Sequence, residues 1–188
     1  MADIPLTAAP ALGDVNLTFA SCVLTERTDI ALISVATPHA GYEALAAKIK
    51  DVWGLSMPGA TASLNAGAMR AIPLAADQMM LVFTPDGGLS ETSVQAELTD
   101  VAYTTMQTDA WAIIELSGAG ATAALERICP LDLDPQTFPN GAAARTMMEH
   151  LGALIIRLEA DRFLLMSARS SAQSFLHAVE TSCRWTAP

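Results

Sequence analysis

Hydrophobic positions along the chain fall into two kinds of period, and the same succession of periods is written twice. IALISVA at 30–36 and WAIIELS at 111–117, 81 residues apart, are short apolar runs of strand type. After each run the spacing changes to steps of three and four. Tyr42, Leu45, Ile49, Val52 and Trp53 form the first such set, and Ala121, Leu125 and Ile128 the second, so each copy predicts a helix with one apolar stripe. Both helices give way to loops marked by proline and glycine, GLSMPG ending at Gly59 and PLDLDPQTFPNG ending at Gly141.

A repeated phrase follows. LAADQMMLVF at 74–83 and LEADRFLLMS at 158–167 lie 84 residues apart, and each reads as a hairpin turning on Ala-Asp. In the second copy Leu154, Ile156 and Leu158 alternate with Ile155, Arg157 and Glu159, which predicts one buried and one more polar face. Pro73 stands where the second copy has Arg157. Because proline cannot donate to a ladder, that strand is expected at an edge or to end early. Each copy closes with a helix, capped by Ser90 before Val94 and Leu98, and by Ser170 or Ser171 before Ala172, Phe175, Leu176, Val179 and Cys183.

The pattern therefore predicts an α+β fold of two related halves, each strand, helix, two strands, helix. An irregular leader is expected over 1–28, the first repeat over 29–100 and the second over 101–188, with a link near 101–110, all within one compact unit.

Composition changes this picture in one respect. Hydrophobic residues make up 52% of the 188 residues and charged ones 16%, against a usual charged share of about 25%. Disorder is excluded, and the excess suggests apolar surface left over for a partner. A net charge of −10 repels a phosphate backbone and offers no cationic stripe to anionic lipid, so neither nucleic acid nor a membrane is expected as a partner. The charge-free stretch 52–69 contains Pro58 and Asn65 and does not read as a spanning helix. Asp3, Pro5 and Pro10 interrupt what a signal peptide would need. A cytoplasmic protein is expected, and Cys22, Cys129 and Cys183, odd in number and widely spaced, fit buried thiols in a reducing compartment.

Candidate chemistry is sparse. Gly118, Gly120 and Ala123 have the GxGxxA spacing of a dinucleotide fingerprint. The acid that motif wants about 20 residues on is represented only by Asp132 and Asp134 in a proline-bearing loop, and a tight turn with close helix–strand approach is the plainer reading. His39, His150 and His177 have no mutual metal spacing. No GxSxG elbow occurs, and no serine or cysteine is paired with a histidine along the chain. Met79, Met80, Met147, Met148 and Met166 read as core filler that can also furnish an adaptable contact surface. No catalytic, cofactor-binding or metal residue is assigned, and the reading points to binding or assembly.

More specific is the combination of Asp134, Phe138-Pro139 and Gly141 at one corner, then Arg145-Thr146 with His150 four residues beyond the threonine, and Arg169-Ser170 before an Ala-x-Ser-Phe helix. Over roughly residues 100–185 this resembles the gamma subunit of heterotetrameric sarcosine oxidase, and the first copy matches that family mainly in layout. The resemblance implies a fold like the glycine-cleavage T protein. It implies partners, the alpha, beta and delta subunits, with FAD, FMN, NAD and tetrahydrofolate held in those partners and none in this chain. The complex would oxidise sarcosine to glycine, with hydrogen peroxide and formaldehyde or methylenetetrahydrofolate as products. The isolated chain would be inactive and sticky or oligomeric. No position matches the folate-pocket acid of the T protein. Two alternatives stand beside this: the equivalent subunit for another N-methyl amino acid, and a free-standing folate or one-carbon binding protein.

Overall fold

The computed structural model describes residues 7–186. Two short strands, β1 (Asn16–Thr18) and β2 (Val23–Glu26), precede the first repeat. That repeat runs β3 (Ala31–Ala36), α1 (Tyr42–Trp53), β4 (Leu64–Ala66), β5 (Met69–Ala75), β6 (Gln78–Phe83), α2 (Glu91–Leu98) and β7 (Tyr103–Met106). The second runs β8 (Trp111–Ser117), α3 (Ala121–Glu126), β9 (Ala143–Met148), β10 (Leu151–Glu159), β11 (Arg162–Ala168) and α4 (Ala172–Trp185). The fold is α+β, with hairpin-containing antiparallel sheets and packed helices.

One sheet has the order β4-β5-β6-β3-β7 and the other β1-β2-β8-β11-β10-β9. Within the first, β3-α1-β5-β6-α2-β7 is a split β-α-β-β-α-β unit, with β7-β3-β6-β5 as its strand order. The second sheet repeats this arrangement, but the strand beside β8 is β2, supplied from ahead of the first repeat. Two expectations are corrected here. The leader is not irregular through residue 28, because β1 and β2 extend the second sheet; its residues 1–6 lie outside the described residues. The link near 101–110 contains β7, which pairs with β3 through Ile33↔Met106 and Val35↔Thr104.

The twin hairpins are equivalent in detail. Ala75 faces Gln78 and Glu159 faces Arg162, and each entering strand carries a bulge at the same place, between Pro73 and Ala75 and between Arg157 and Glu159. Pro73 lies where β5 has no neighbour on its outer side, since β4 pairs with it only as far as Ala71. Its missing N–H thus leaves no partner unsatisfied there. At α2, Ser90 accepts from the Ser93 backbone N–H while the Ser93 hydroxyl receives the Ser90 N–H, a closed capping box.

The sheets lie face to face, with helices on both outer sides. Leu32, Met80 and Val82 from one sheet meet Ile113, Ile156 and Met166 from the other. On the outer faces Ile33 and Leu81 pack with Leu45, Ile49 and Val94, while Ile114 and Leu165 pack with Leu125, Phe175 and Val179. Central strands are thus buried on both sides, which is why their sequences are continuous apolar runs. This corrects the polar face expected for β10, where Ile155 is fully buried and Arg157 is only 1% exposed. It also accounts for the low charge content. Three apolar layers consume the hydrophobic residues, and the large apolar side chains exposed among the described residues are the scattered Tyr42, Tyr103, Met106, Met147 and Trp185.

Candidate functional site

The glycine-rich corner after β8 is occupied by the chain itself. Gly118 has φ +110, and a Cβ there would lie 2.5 Å from the Ser21 carbonyl oxygen; one on Gly120 would lie 2.2 Å from Ser21 Oγ. Gly120 N–H donates to the Ser21 carbonyl at 2.9 Å, and Gly118 N–H to the Asp161 carbonyl at 2.9 Å. The backbone donors that would cradle a pyrophosphate are therefore taken, and α3, at six residues, is too short to supply a developed helix dipole. The plain reading of a close-packed turn holds, with the N-terminal segment rather than β11 as the surface approached.

His39, His150 and His177 are exposed and lie on three separate elements. His177 sits on the solvent face of α4. Asp132 and Asp134 shape their loop: the carboxylate of Asp132 accepts from Asp134 N–H at 3.0 Å, and that of Asp134 from Gln136 N–H at 2.8 Å. Among the described residues, no three His, Cys, Asp or Glu side chains cluster as a metal site requires, and no helix is long and apolar enough to cross a membrane.

The three thiols are buried and unpaired. Burial pushes the Cys183 thiol up to about 12, with the neighbouring Cys22 and Glu180 acting in the same direction, so the thiolate that would act as nucleophile is absent near neutrality. An aromatic disulfide reagent at pH 8 is expected to leave the folded chain unmodified and to titrate all three thiols in denaturant. Rapid labelling of Cys183 without denaturant would contradict this burial.

A cleft of about 260 Å3 lies where the chain crosses between sheets, bounded by residues 8–11, 26–30 and 108–113 and by Arg169. Sequence reasoning singled out Arg169 but missed Glu26, Arg27 and Asp109, which fall in the supposed leader and link. Glu26, Arg27 and Arg169 are already engaged. Glu26 accepts from Leu12 N–H at 2.8 Å and Asp14 N–H at 2.7 Å, and Arg169 donates to the Ala9 carbonyl at 2.6 Å. Arg27 forks onto Asp29 and also reaches Glu115 at 2.5 Å, which holds the Asp29 carboxyl below the usual range. These contacts pin the N-terminal segment across the cleft.

The corner residues divide into two groups. Phe138 is core, and Gly141, at φ +86, accepts from both Ser63 N–H and Ser63 Oγ, joining the two repeats. Arg145, Met147 and His150 are instead exposed along β9 and its turn. Strand β9 is an outer strand whose opposite side is met only at its start, by the Ala62↔Ala142 bridge. Beside it an open, mostly apolar depression is floored by Gly152 and Ala153 and edged by Trp111, Pro130, Arg145 and Met147.

A family model described as "Sarcosine oxidase, gamma subunit family" matches residues 38–184. The chain belongs to that family. The gamma-family match thus takes in the first repeat as well as the second, so both halves are part of it. Among solved structures, the chain is similar to one from the heterotetrameric sarcosine oxidase of Corynebacterium sp. U-96 in complex with pyrrole 2-carboxylate, at 20% identity and TM-score 0.76, covering 92% of this chain and 88% of that one. It is also similar to the glycine cleavage system aminomethyltransferase T of Bartonella henselae, at 16% identity and TM-score 0.60; it covers 90% of this chain but spans only 50% of the length of the aminomethyltransferase. The T protein-like fold is thereby established. No curated protein matches the chain.

Proposed function

We propose that the chain is a non-catalytic gamma-type subunit of a sarcosine-oxidising complex, which it stabilises by docking on the flavin-bearing chains. The observation that carries this is the gamma-family match over residues 38–184, joined to a crossover cleft whose Glu26 and Arg169 are tied up in the chain's own fold. FAD, FMN, NAD and tetrahydrofolate would be held by alpha, beta and delta partners in the cytoplasm, where sarcosine is converted to glycine with release of hydrogen peroxide and transfer of the methyl carbon. Within this chain the Gly118–Gly120 corner has no room for a dinucleotide. The exposed β9 edge supplies unpaired backbone groups beside an apolar depression, the combination from which subunit interfaces are made.

Co-expression with the partner chains is expected to give a stable assembly with sarcosine-dependent peroxide formation, and the isolated chain none. An isolated chain that stays monomeric in the presence of those partners would refute the proposal. Another N-methyl amino acid in place of sarcosine would keep the same role, and comparing the assembly's turnover on sarcosine and on N-methylglutamate decides the substrate. A free-standing folate-binding role needs an acid facing a cavity of a few hundred Å3. Glu26 lines the crossover cleft, but both its oxygens are committed to Leu12 and Asp14; Asp109, at the rim of that cleft, is exposed. Calorimetry with tetrahydrofolate that gives no heat would close that alternative.

A further inference from the structure

Arg70 is the one lining arginine of a second inter-sheet cavity that lacks an acid. That cavity, of about 180 Å3, opens between β5–β6 and the β10–β11 hairpin, and Arg27, Asn65, Arg70 and Thr84 supply its polar wall. Three guanidinium groups gather around this end of the sheets. Arg27 takes Asp29 and Glu115. Arg162 takes Glu159 at 2.7 Å and lies 3.1 Å from Glu115, although its buried Nε lacks the angle for a hydrogen bond. Among the described residues, Arg70 has no carboxylate partner, and its side chain makes a single hydrogen bond, from Nη1 to Ser63 Oγ at 2.7 Å. Burial lowers its pKa, the positive charge of Arg162 lowers it further, and no carboxylate offsets either.

A half-buried guanidinium with one of its five N–H donors used within the chain, beside a second guanidinium, is left without the acid that would neutralise it, in a chain with twice as many acids as bases. The Ser63 contact holds the group in place: Ser63 Oγ is itself anchored on the Gly141 carbonyl at 2.9 Å. The remaining cavity wall is hydrocarbon, from Ile30, Val82, Leu158 and Leu164. We infer that this cavity is a binding site for an organic carboxylate, whose head pairs with Arg70 and whose carbon portion lies on the apolar wall. The fork of a guanidinium matches a carboxylate through two parallel hydrogen bonds, and the apolar wall favours such an acid over a bare inorganic anion.

The carboxylate can belong to a free small acid or to an acidic side chain of a neighbouring subunit. Thermal unfolding of the purified chain in propionate, against chloride at equal ionic strength, separates these. A saturable rise in Tm in the wild type that is lost in both R70M and R70Q assigns a free acid; R70Q keeps an amide donor for Ser63 and so controls for loss of that contact. No propionate response, with association with the other subunits weakened at least tenfold by R70M and R70Q, assigns a neighbouring subunit's side chain. Wild type and variants that respond alike to propionate, with association unchanged, overturn the site. Only the association measurement rests on the subunit reading; the propionate measurement stands or fails without it.

Discussion

Alanine at Gly118 is expected to destabilise the chain by about 4 kcal/mol, combining roughly 1–3 kcal/mol of backbone strain with about 1–3 kcal/mol of steric overlap. The strain arises because φ is +110, and the overlap because the new methyl group would meet the Ser21 carbonyl oxygen at 2.5 Å and Cys22 Cα at 3.2 Å. Both neighbours are backbone and have nowhere to rotate. For a chain of this size the unfolding midpoint should fall by roughly 8–16 °C. Gly120 is a matched control: its φ is −88, which alanine tolerates, and its clash is with the Ser21 side chain at 2.2 and 2.7 Å, and with Cys22 Sγ at 3.1 Å. Removing that side chain with Ser21→Gly should restore most of the stability lost in G120A and little of that lost in G118A. Equal rescue of both, or a wild-type midpoint for G118A, would show that the N-terminal segment does not pack into this corner.

Arg157 carries the second large effect. It is fully buried on β10, donates to the Ala160 carbonyl at 2.5 Å and to the Leu133 carbonyl, and lies 4.6 Å from the Phe163 ring centroid. Among the described residues it has no ion-pair partner, and its Nε has no acceptor. The side chain therefore works as a brace between the hairpin and the 130–141 loop. Arg157→Ala removes two donors from the carbonyls, at about 1–3 kcal/mol for each one left buried, and opens a cavity as well, so a loss of about 4 kcal/mol in urea unfolding is expected. Arg157→Met fills much of the volume and removes a desolvated charge, so its cost should be about 1–2 kcal/mol. A methionine variant as unstable as the alanine one would assign the effect to the hydrogen bonds alone. An alanine variant within about 0.5 kcal/mol of wild type, the range of ordinary surface substitutions, would remove the brace from the account.

Arg157 also shows where sequence periodicity stops being informative. The alternation Leu154, Ile156, Leu158 against Ile155, Arg157, Glu159 has the form of a half-exposed strand, and only Glu159 of the second set is exposed. A strand covered on both faces can hold an arginine if loop carbonyls are waiting for it, and those carbonyls are set by tertiary structure. The long apolar strands β3 and β8, the helix α1 and both hairpins were readable because length and apolar content agree. Strands β1, β2, β4 and β7 were not, since three or four residues at a sheet margin leave no period to count. The Arg27, Arg70 and Arg162 cluster draws on three strands or their ends, and no spacing along the chain announces it. Arg145 and His150 were legible as parts of a family-like pattern and Met147 as core filler able to furnish a contact surface, but their shared exposure along an outer strand and its turn was not.

Because β2 pairs with β8 through Val23↔Ser117 to Glu26↔Ile114, β2 must wait during translation for a partner from the far side of the whole first repeat. At bacterial or eukaryotic elongation speeds of about 5–20 residues per second, that delay is on the order of 5–20 s. During translation the nascent β2 has no ladder to join, and the second sheet can close only after the first could already have folded. The order of synthesis and the order of assembly are thus opposed for β2, which exposes Leu24 to chaperones or misdirected pairing until Leu116 emerges.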